Sequence, residues 1–338
     1  MMEKNISLGH GSGGRLMHSL IRDLFVKYFD NPFLAQQSDS AVLDLSPGKT
    51  AFTTDSYVID PVFFPGGNIG KLAVCGTAND LAVAGATPRY ITAAFIIEEG
   101  LPMEELERIV ASMAEEAKNA GILVVTGDTK VVNKGQCDKI FINTAGIGQL
   151  ETAQAHIGTG KNMEAGDKII LNGPIAQHGM AIMAVRNFGN FNTNIQSDCG
   201  CLNHMIREVL DTGARVRFMR DATRGGLATV MCEMAAQRGF GVEVSEEDVP
   251  VDDNVRGMCE LLGFDPFYVA NEGKLVMAVH PEDADQVIRT MKNNPLGRDA
   301  AVIGELTREH PGKAVLQTAI GGKRIMDMLA GEQLPRIC

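Results

Sequence analysis

The sequence predicts a two-domain α/β protein with mixed sheets. Strand-like and helix-like segments alternate along the chain, and a polar, turn-prone stretch interrupts them at residues 149–166. The 338 residues, of which 45% are hydrophobic and 22% charged, are enough for two cores of ordinary size. We therefore expect one domain over residues 1–150, a second over 160–325, and a flexible tail over 326–338 that ends in Cys338.

Apolar runs and helical periodicity predict the elements of the first domain. Short apolar runs predict strands at residues 51–54, 90–97, 122–125 and 139–146. Helix-like periodicity predicts helices at residues 16–29, 70–86 and 102–120. The last of these is amphipathic and is followed by Gly121, a common helix terminator.

The second domain repeats this alternation. We predict strands at residues 168–171 and 275–279, and helices at residues 225–237 and 281–292.

Charge and hydropathy limit the classes of function. The formal net charge of −11 disfavours binding to a phosphate backbone, although nucleotides can still bind where metal ions or backbone N–H groups offset their charge. No segment approaches the ~20 apolar residues of a membrane span. Residues 1–6 lack the apolar core of a signal peptide, so we expect a cytoplasmic protein.

The seven cysteines do not form a recognisable framework. An odd number in a reducing compartment disfavours disulfides, and most are expected to be buried packing residues. Cys199 and Cys201 form a C-x-C pair without a second half, so spacing alone does not predict a zinc site. Cys338 differs because it is the last residue. It is either the reactive thiol of a swinging carrier or an accidental surface cysteine.

Aspartates in segments that also contain glycine, threonine, serine or asparagine are candidate metal and phosphate ligands. They are Asp39, Asp55, Asp80, Asp128 and Asp221. Asp55 and Asp128 each follow an apolar strand, where side chains face the ligand crevice of an α/β protein and suit Mg²⁺. The alternative is a role in turns and caps. Asp80 lies in a small, apolar helix, where an unpaired carboxylate is costly.

Glycine loops and charged residues add further candidates. The loop His10-Gly11-Ser12-Gly13-Gly14 precedes a helix and resembles a phosphate-binding entry, although it matches no standard nucleotide motif. The loop Gly66-Gly67-Asn68 enters the next helix in the same way. Glu272 precedes a strand and is either a general base or an exposed loop charge.

Several of these motifs together resemble one known family. They include His10-Gly11-Ser12-Gly13-Gly14, Thr54-Asp55-Ser56-Tyr57, Thr77-Ala78-Asn79-Asp80, Thr126-Gly127-Asp128-Thr129-Lys130, Asp221-Ala222-Thr223-Arg224-Gly225-Gly226, Ala270-Asn271-Glu272-Gly273-Lys274 and Pro335-Arg336-Ile337-Cys338. The chain resembles the carbamoyl dehydratases of hydrogenase maturation. They belong to the superfamily of aminoimidazole ribonucleotide synthetase, selenophosphate synthetase and thiamine-monophosphate kinase. The resemblance covers nearly the whole chain.

The resemblance implies a PurM-like fold, a homodimer that joins sheets of the N-terminal domains, and a site for ATP and Mg²⁺. The implied reaction is the ATP-dependent dehydration of a carbamoyl group on Cys338 to a thiocyanate, which supplies cyanide for the iron of [NiFe]-hydrogenase. The implied partners are the carbamoyltransferase HypF, which loads the thiol, and a HypC–HypD complex, which accepts the cyanide.

The resemblance also implies roles for individual residues. Cys338 carries the substrate, Glu272 acts as the base, and Lys130 offsets charge on the phosphorylated oxygen, with Lys134 as the alternative. Asp80 is expected to be both catalytic and a metal ligand, beside Asp39, Asp55, Asp128 and Asp221. The expected ATP-binding residues are Gly13, Gly14, Thr54, Asn79, Thr126, Gly127, Asp128 and Lys134.

Two other functions are weighed against this one. The first is a superfamily enzyme that phosphorylates a small molecule, such as selenophosphate synthetase. That enzyme typically needs a reactive cysteine or selenocysteine near its N-terminal glycine loop, and it is disfavoured because no cysteine precedes Cys75. A non-catalytic thiol carrier or assembly scaffold would not need the acidic residues, but the sequence cannot show turnover.

Overall fold

A computed structural model describes residues 4–38, 40–45, 47–188, 194–329, 331, 334 and 336–338. Asp39, one of the expected metal ligands, lies outside the described residues. The expected mixed α/β architecture with two domains is confirmed. Among the described residues, no helix combines the length and the apolar character needed to cross a membrane.

The first domain holds five helices and six strands within its described residues. The helices are α1 (Arg15–Leu20), α2 (Lys27–Phe29), α3 (Pro32–Ala35), α4 (Ile69–Val83) and α5 (Met103–Ala120). A π-helical stretch, Ile21–Val26, joins α1 to α2, so the predicted helix at residues 16–29 is confirmed. The strands are β1 (Lys49–Tyr57), β2 (Phe63–Phe64), β3 (Gly67–Asn68), β4 (Ala86–Glu98), β5 (Leu123–Val132) and β6 (Ile140–Leu150).

The main sheet of this domain has the strand order β1-β6-β4-β5, with only β4 and β5 parallel among its described pairs. Helices α4 and α5 pack together, and α4 also packs on β1, β4 and β6. Thirteen of the 15 residues of α4 are buried, because its small side chains allow close packing on every side. At Gly70, a Cβ atom would lie 2.4 Å from the carbonyl oxygen of Ile109, so the approach of α4 to α5 requires glycine.

The described part of the second domain adds five helices and seven strands. The helices are α6 (Gln177–Phe188), α7 (Asn203–Asp211), α8 (Gly226–Arg238), α9 (Asp253–Leu262) and α10 (Ala284–Lys292). The strands are β7 (Lys168–Leu171), β8 (Val216–Asp221), β9 (Gly241–Ser245), β10 (Leu275–Val279), β11 (Ala301–Thr307), β12 (Ala314–Gln317) and β13 (Lys323–Met326).

These strands form a sheet with the order β13-β12-β9-β11-β7-β10-β8. Strand β10 is buried at every position, since it lies between β7 and β8 and is covered on both faces. Residues of α8 contribute to the core on one side, and residues of α7 and α10 contribute to the core on the other. Helix α6 and the C-terminal Ile337 belong instead to the core of the first domain, so this core extends across the domain boundary.

Three local predictions are wrong. Asp55 and Asp128 do not follow their strands but lie inside β1 and β5, which run on through their polar residues. The helix predicted at residues 70–86 ends at Val83, because Gly85 at φ 86° turns the chain into β4.

Candidate active site

An acidic cluster lies where the two domains meet. Asp55 projects from β1, Asp80 from α4, and Asp221 from the end of β8. The Oδ2 atom of Asp80 accepts a hydrogen bond of 2.7 Å from Thr53. Burial, followed by the charges of Asp221 and Asp55, raises the pKa of Asp80 to about 7. Burial likewise raises the pKa of Asp221 to about 6.

These carboxylates fit a divalent cation. The charge of Asp55 acts to raise the pKa values of Asp80 and Asp221, the charge of Asp221 also acts on Asp80, and a bound cation relieves this repulsion. Oxygen donors are also the ligands that Mg²⁺ prefers. The structure therefore brings together three of the expected metal ligands, and their role as ligands remains a prediction.

Asn79 fastens α4 to the second domain. Its Nδ2 atom donates to the carbonyl oxygens of Gly200 (3.1 Å) and Glu272 (3.4 Å). Its Oδ1 atom accepts from the backbone N–H of Leu202 at 2.8 Å. Asn79 is one of the residues expected to bind ATP. The described hydrogen bonds of its side chain all join the two domains, next to Asp80.

A buried network shapes the loop that carries Glu272. Asp198 accepts hydrogen bonds from the backbone N–H groups of Glu272 (3.1 Å) and Gly273 (3.2 Å), and pairs with Lys274 Nζ at 3.1 Å. A Cβ atom on Gly273 would lie 2.0 Å from the carbonyl oxygen of Asp198, so only glycine fits. Asn271 accepts from the backbone N–H of Ala176 at 2.7 Å and holds the other end of the loop.

Glu272 is a buried carboxyl group with an unsatisfied oxygen. Its residue is 4% exposed, and its Oε1 atom has no hydrogen-bond partner among the described residues. Burial, followed by the charges of Cys199, Asp198 and Asp221, raises its pKa well above the ordinary range. The interpretation of Glu272 as an exposed loop charge is therefore wrong. A buried carboxyl of this kind is a candidate acid–base group.

The C-terminal residues are docked along the end of β1. The backbone N–H of Val58 donates to the carbonyl oxygen of Cys338 at 3.1 Å, and that of Asp60 donates to Arg336 at 3.3 Å. Ile337 is 3% exposed, and Cys338 packs against the same core. The terminal residues therefore contribute to a core, contrary to the expectation for a free end; the mobility of the tail stays a prediction.

Two residues that the sequence did not suggest hold this tail. His178 Nε2 lies 2.7 Å from the carbonyl oxygen of Ile337, and its Nδ1 lies 2.7 Å from Ser197 Oγ. Arg186 donates to the carbonyl oxygens of Arg336 (2.5 Å) and Asp60 (2.6 Å). Neither residue lies in a motif, and only the docked tail reveals its contacts.

Asp128 and Lys130 lie apart from the acidic cluster. Residues that pair across neighbouring strands lie on the same face of the sheet. Asp128 pairs with Ala94, Ala94 with Asn143, and Asn143 with Ser56. Asp128 is therefore on the same face as Ser56. Asp55 points to the opposite face. Lys130 Nζ contacts both carboxylate oxygens of Asp128 at 2.8 Å. Thr54 is exposed on this outer face as well.

The remaining expected residues fall into two places. Thr126, Gly127 and Asp128 line a pocket whose apolar wall includes Phe25 and Phe95. The exposed Gly13 and Gly14 directly precede α1. They lie on the same side of the domain, because Gly11 packs against Val131 of β5.

Lys134 is exposed in the loop between β5 and β6. Asp138 of this loop pairs with Arg336 of the tail at 2.6 Å. The loop that carries Lys134 is thereby joined to the tail.

Comparison with known families defines the class of protein. The N-terminal domain of the AIR synthase related proteins matches residues 37–150, and their C-terminal domain matches residues 164–317. The chain therefore belongs to this family.

Individual relatives narrow the assignment. The carbamoyl dehydratase HypE of Escherichia coli (strain K12) is 51% identical over 339 residues, covering 99% of each chain. A crystal structure of the hydrogenase maturation protein HypE in complex with ATP has a TM-score of 0.93 and 46% identity, covering 98% of this chain and 99% of that one. A crystal structure of a HypE–HypF complex has a TM-score of 0.79 and 44% identity, covering 92% and 100%. This chain is a member of the HypE family of carbamoyl dehydratases.

Proposed function

We propose that the chain uses ATP to dehydrate a carbamoyl group carried on the Cys338 thiol, and that the product is a thiocyanate destined for hydrogenase iron. One observation carries the proposal. The last residue is docked on Val58, three positions from Asp55 of the acidic cluster. A terminal cysteine docked at the end of the strand that carries an acidic residue of the site is what a carrier domain needs when it delivers its own substrate to a catalytic site.

The reaction needs ATP because a carboxamide oxygen is a poor leaving group. The amide oxygen attacks the γ-phosphorus of ATP, ADP leaves, and the nitrogen loses one proton. Loss of inorganic phosphate and the second proton then forms the C≡N bond. Phosphoryl transfer depends chiefly on positioning and charge neutralisation.

Asp55, Asp80 and Asp221 would hold Mg²⁺. This cation would offset charge on the ATP phosphates. Exclusion of water from the docked site would protect the phosphorylated intermediate from hydrolysis.

Glu272 would accept the nitrogen protons. Its raised pKa makes it a strong base once it is ionised, and its Oε1 atom has hydrogen-bonding capacity left for the substrate amide.

For the lysine role we favour Lys134 over Lys130. Lys130 is paired with Asp128 on the outer face, whereas Lys134 belongs to the loop that Asp138 and Arg336 join to the tail.

The pocket beside β5 would receive the nucleoside of ATP. Its apolar lining and polar mouth at Thr126, Gly127 and Asp128 are typical of such sites. The backbone N–H groups at Gly13 and Gly14 would contact phosphate. ATP bound to a relative supports this part of the proposal.

The partners follow from the exposed surface and from the relatives. Phe52 is 70% exposed and Ile96 is 44% exposed on the outer face of the first sheet, which supports a homodimer formed through this face. The HypE–HypF complex of a relative supports HypF as the donor of the carbamoyl group. A HypC–HypD complex would accept the cyanide, as the family resemblance implies.

We also propose a cytoplasmic location. All seven cysteines are thiols, as is usual in a reducing compartment.

Intact-protein mass spectrometry tests the proposal. The protein is incubated with the carbamoyltransferase, carbamoyl phosphate and ATP, beside a Cys338→Ala control. We expect a carbamoyl adduct on the parent chain that loses one water only when ATP is present, and no adduct on the control.

Other outcomes would contradict defined parts. An adduct that never loses water would indicate a thiol carrier without dehydratase activity. Absence of any adduct would exclude the carrier role of Cys338.

A further inference from the structure

Three cysteines that the proposed reaction does not use meet at the domain boundary. Cys75 lies on α4 and is fully buried, while Cys199 and Cys201 come from the loop that precedes α7. The Sγ atoms of Cys75 and Cys201 are 3.5 Å apart. Cys199 belongs to the same buried core as Cys75. The C-x-C pair of the second domain thus lies next to a cysteine on a helix of the first domain.

A carboxylate completes the cluster. Glu116 projects from α5, and its carboxylate lies within 4.8 Å of the sulfur atoms of Cys75 and Cys201. Two thiolates that share a tetrahedral zinc ion, with bonds of ~2.3 Å, lie ~3.8 Å apart. The observed sulfur separation is therefore close to that needed for a shared cation.

A nearby lysine offsets the charge that such a site would carry. Lys71 lies within electrostatic range of Cys199, Cys75 and Glu116. Thiolates and a carboxylate around one divalent ion leave a net negative charge, which a partly buried ammonium group stabilises. Lys71 lies one turn before Cys75 on α4 and belongs to the same environment.

We propose that Cys75, Cys201 and Glu116 bind a borderline-soft divalent cation of the zinc class, with water in the fourth position. Sulfur donors select zinc-like ions over Mg²⁺, so this site is chemically distinct from the acidic cluster. Binding would release the thiol protons to solvent and would connect α4 and α5 to the 199–201 segment. Asp198, which precedes that segment, positions the Glu272 loop, and the ion would thereby stabilise this loop without contacting substrate.

Cobalt(II) is the probe for this site. The full-length chain, reduced and stripped with a chelator, is titrated with Co²⁺ and its absorption spectrum recorded. We expect thiolate-to-cobalt charge-transfer bands and strong visible bands of tetrahedral cobalt, saturating at one equivalent and abolished by Zn²⁺. Cys201→Ser should weaken Co²⁺ binding and lower the charge-transfer intensity, because one of the two thiolates is lost. Glu116→Gln should weaken binding and retain the bands at high Co²⁺.

Matched controls keep the test independent of folding. Cys75 is fully buried, so its substitution would disturb the packing of the core. The test therefore uses a substitution of the partly exposed Cys201. Cys232→Ser changes another partly exposed cysteine, on α8, and should leave the titration unchanged. Unchanged affinity and band intensity in Cys201→Ser, or loss of the bands in Cys338→Ser, would overturn the proposal. Failure of the reduced protein to bind Co²⁺ would also overturn it. The same holds if the two cysteines form a Cys75–Cys201 disulfide in air but bind no Co²⁺ when reduced.

Discussion

The imidazole of His178 lies with Nε2 at 2.7 Å from the carbonyl oxygen of Ile337, the residue before the terminal cysteine. A carbonyl can only accept a hydrogen bond, so Nε2 carries the proton and Nδ1 accepts from Ser197. Burial, as the largest cause, lowers the pKa of His178, which agrees with a neutral ring. His178 is thus a positioning residue for the tail.

We expect His178→Ala to release the tail. Loss of a buried hydrogen bond costs about 1–3 kcal/mol, so the equilibrium constant for docking should fall ~5- to 150-fold. Alkylation of Cys338 and hydrogen exchange at residues 336–338 should accelerate, while dehydration slows and loading does not. His178→Gln, which can still donate to the carbonyl, should restore part of the docking. His204→Ala, at an exposed histidine that contacts Asn119, is the control. Equal alkylation in His178→Ala and the parent would disprove the positioning role.

Glu272→Gln should stop the reaction at the carbamoylated protein. Removal of a general base slows proton transfer by ~10²–10⁴-fold, whereas the buried amide preserves the shape of the loop. Mass spectrometry of the Cys338 adduct over time measures this step. Glu260→Gln, on the exposed side of α9, should dehydrate normally. A normal yield of thiocyanate from Glu272→Gln would remove this residue from the mechanism.

Asp80→Asn should abolish ATP hydrolysis without preventing the loading of Cys338. It removes a charge from the acidic cluster, and loss of one electrostatic contact typically costs ~10²–10³-fold in rate. Phosphate release is measured beside Asp285→Asn, an exposed aspartate on α10. Continued dehydration by Asp80→Asn would show that our assignment of this residue is incorrect.

The two candidate lysines can be separated by parallel variants. Lys134→Ala should lower the rate of dehydration ~10-fold or more, since it removes a cation from the loop that Asp138 joins to the tail. Lys130→Ala should have a smaller effect, because its ammonium group is already paired with Asp128. The reverse order of rates would return the role to Lys130.

Without divalent cations, stability should fall as the pH rises. The folded pKa values of Asp80 and Asp221, about 7 and about 6, lie above the ordinary value of 3.8. The folded chain therefore keeps protons that the unfolded chain has released. The resulting stability is fully present below pH 3.8 and is lost as the pH rises through these folded values.

Urea unfolding of chelator-treated protein across this pH range measures the effect. Asp80→Asn should show a shallower decline than the parent, and Asp285→Asn should match the parent. Identical slopes for Asp80→Asn and the parent would contradict the raised pKa of Asp80.

The sequence alone determined the elements whose periodicity is local. The amphipathic helix predicted at residues 102–120 is α5, and the strand predicted at residues 168–171 is β7, because burial of one face or of a whole run leaves a pattern in neighbouring residues. The glycines, aspartates and terminal tetrapeptide also identified the family. Local patterns carry this information because a turn or a ligand loop restricts residue type at each position.

Only the tertiary structure decided which candidates meet. Asp55, Asp80, Asp221 and Glu272 come from distant parts of the chain, and their shared environment depends on the packing of the two domains. It also separated Asp128 from this cluster, since the side of a sheet that a residue faces follows from strand register. The contacts of His178 with the tail, and of Cys75 with Cys201, leave no local pattern because they join residues 159 and 126 positions apart.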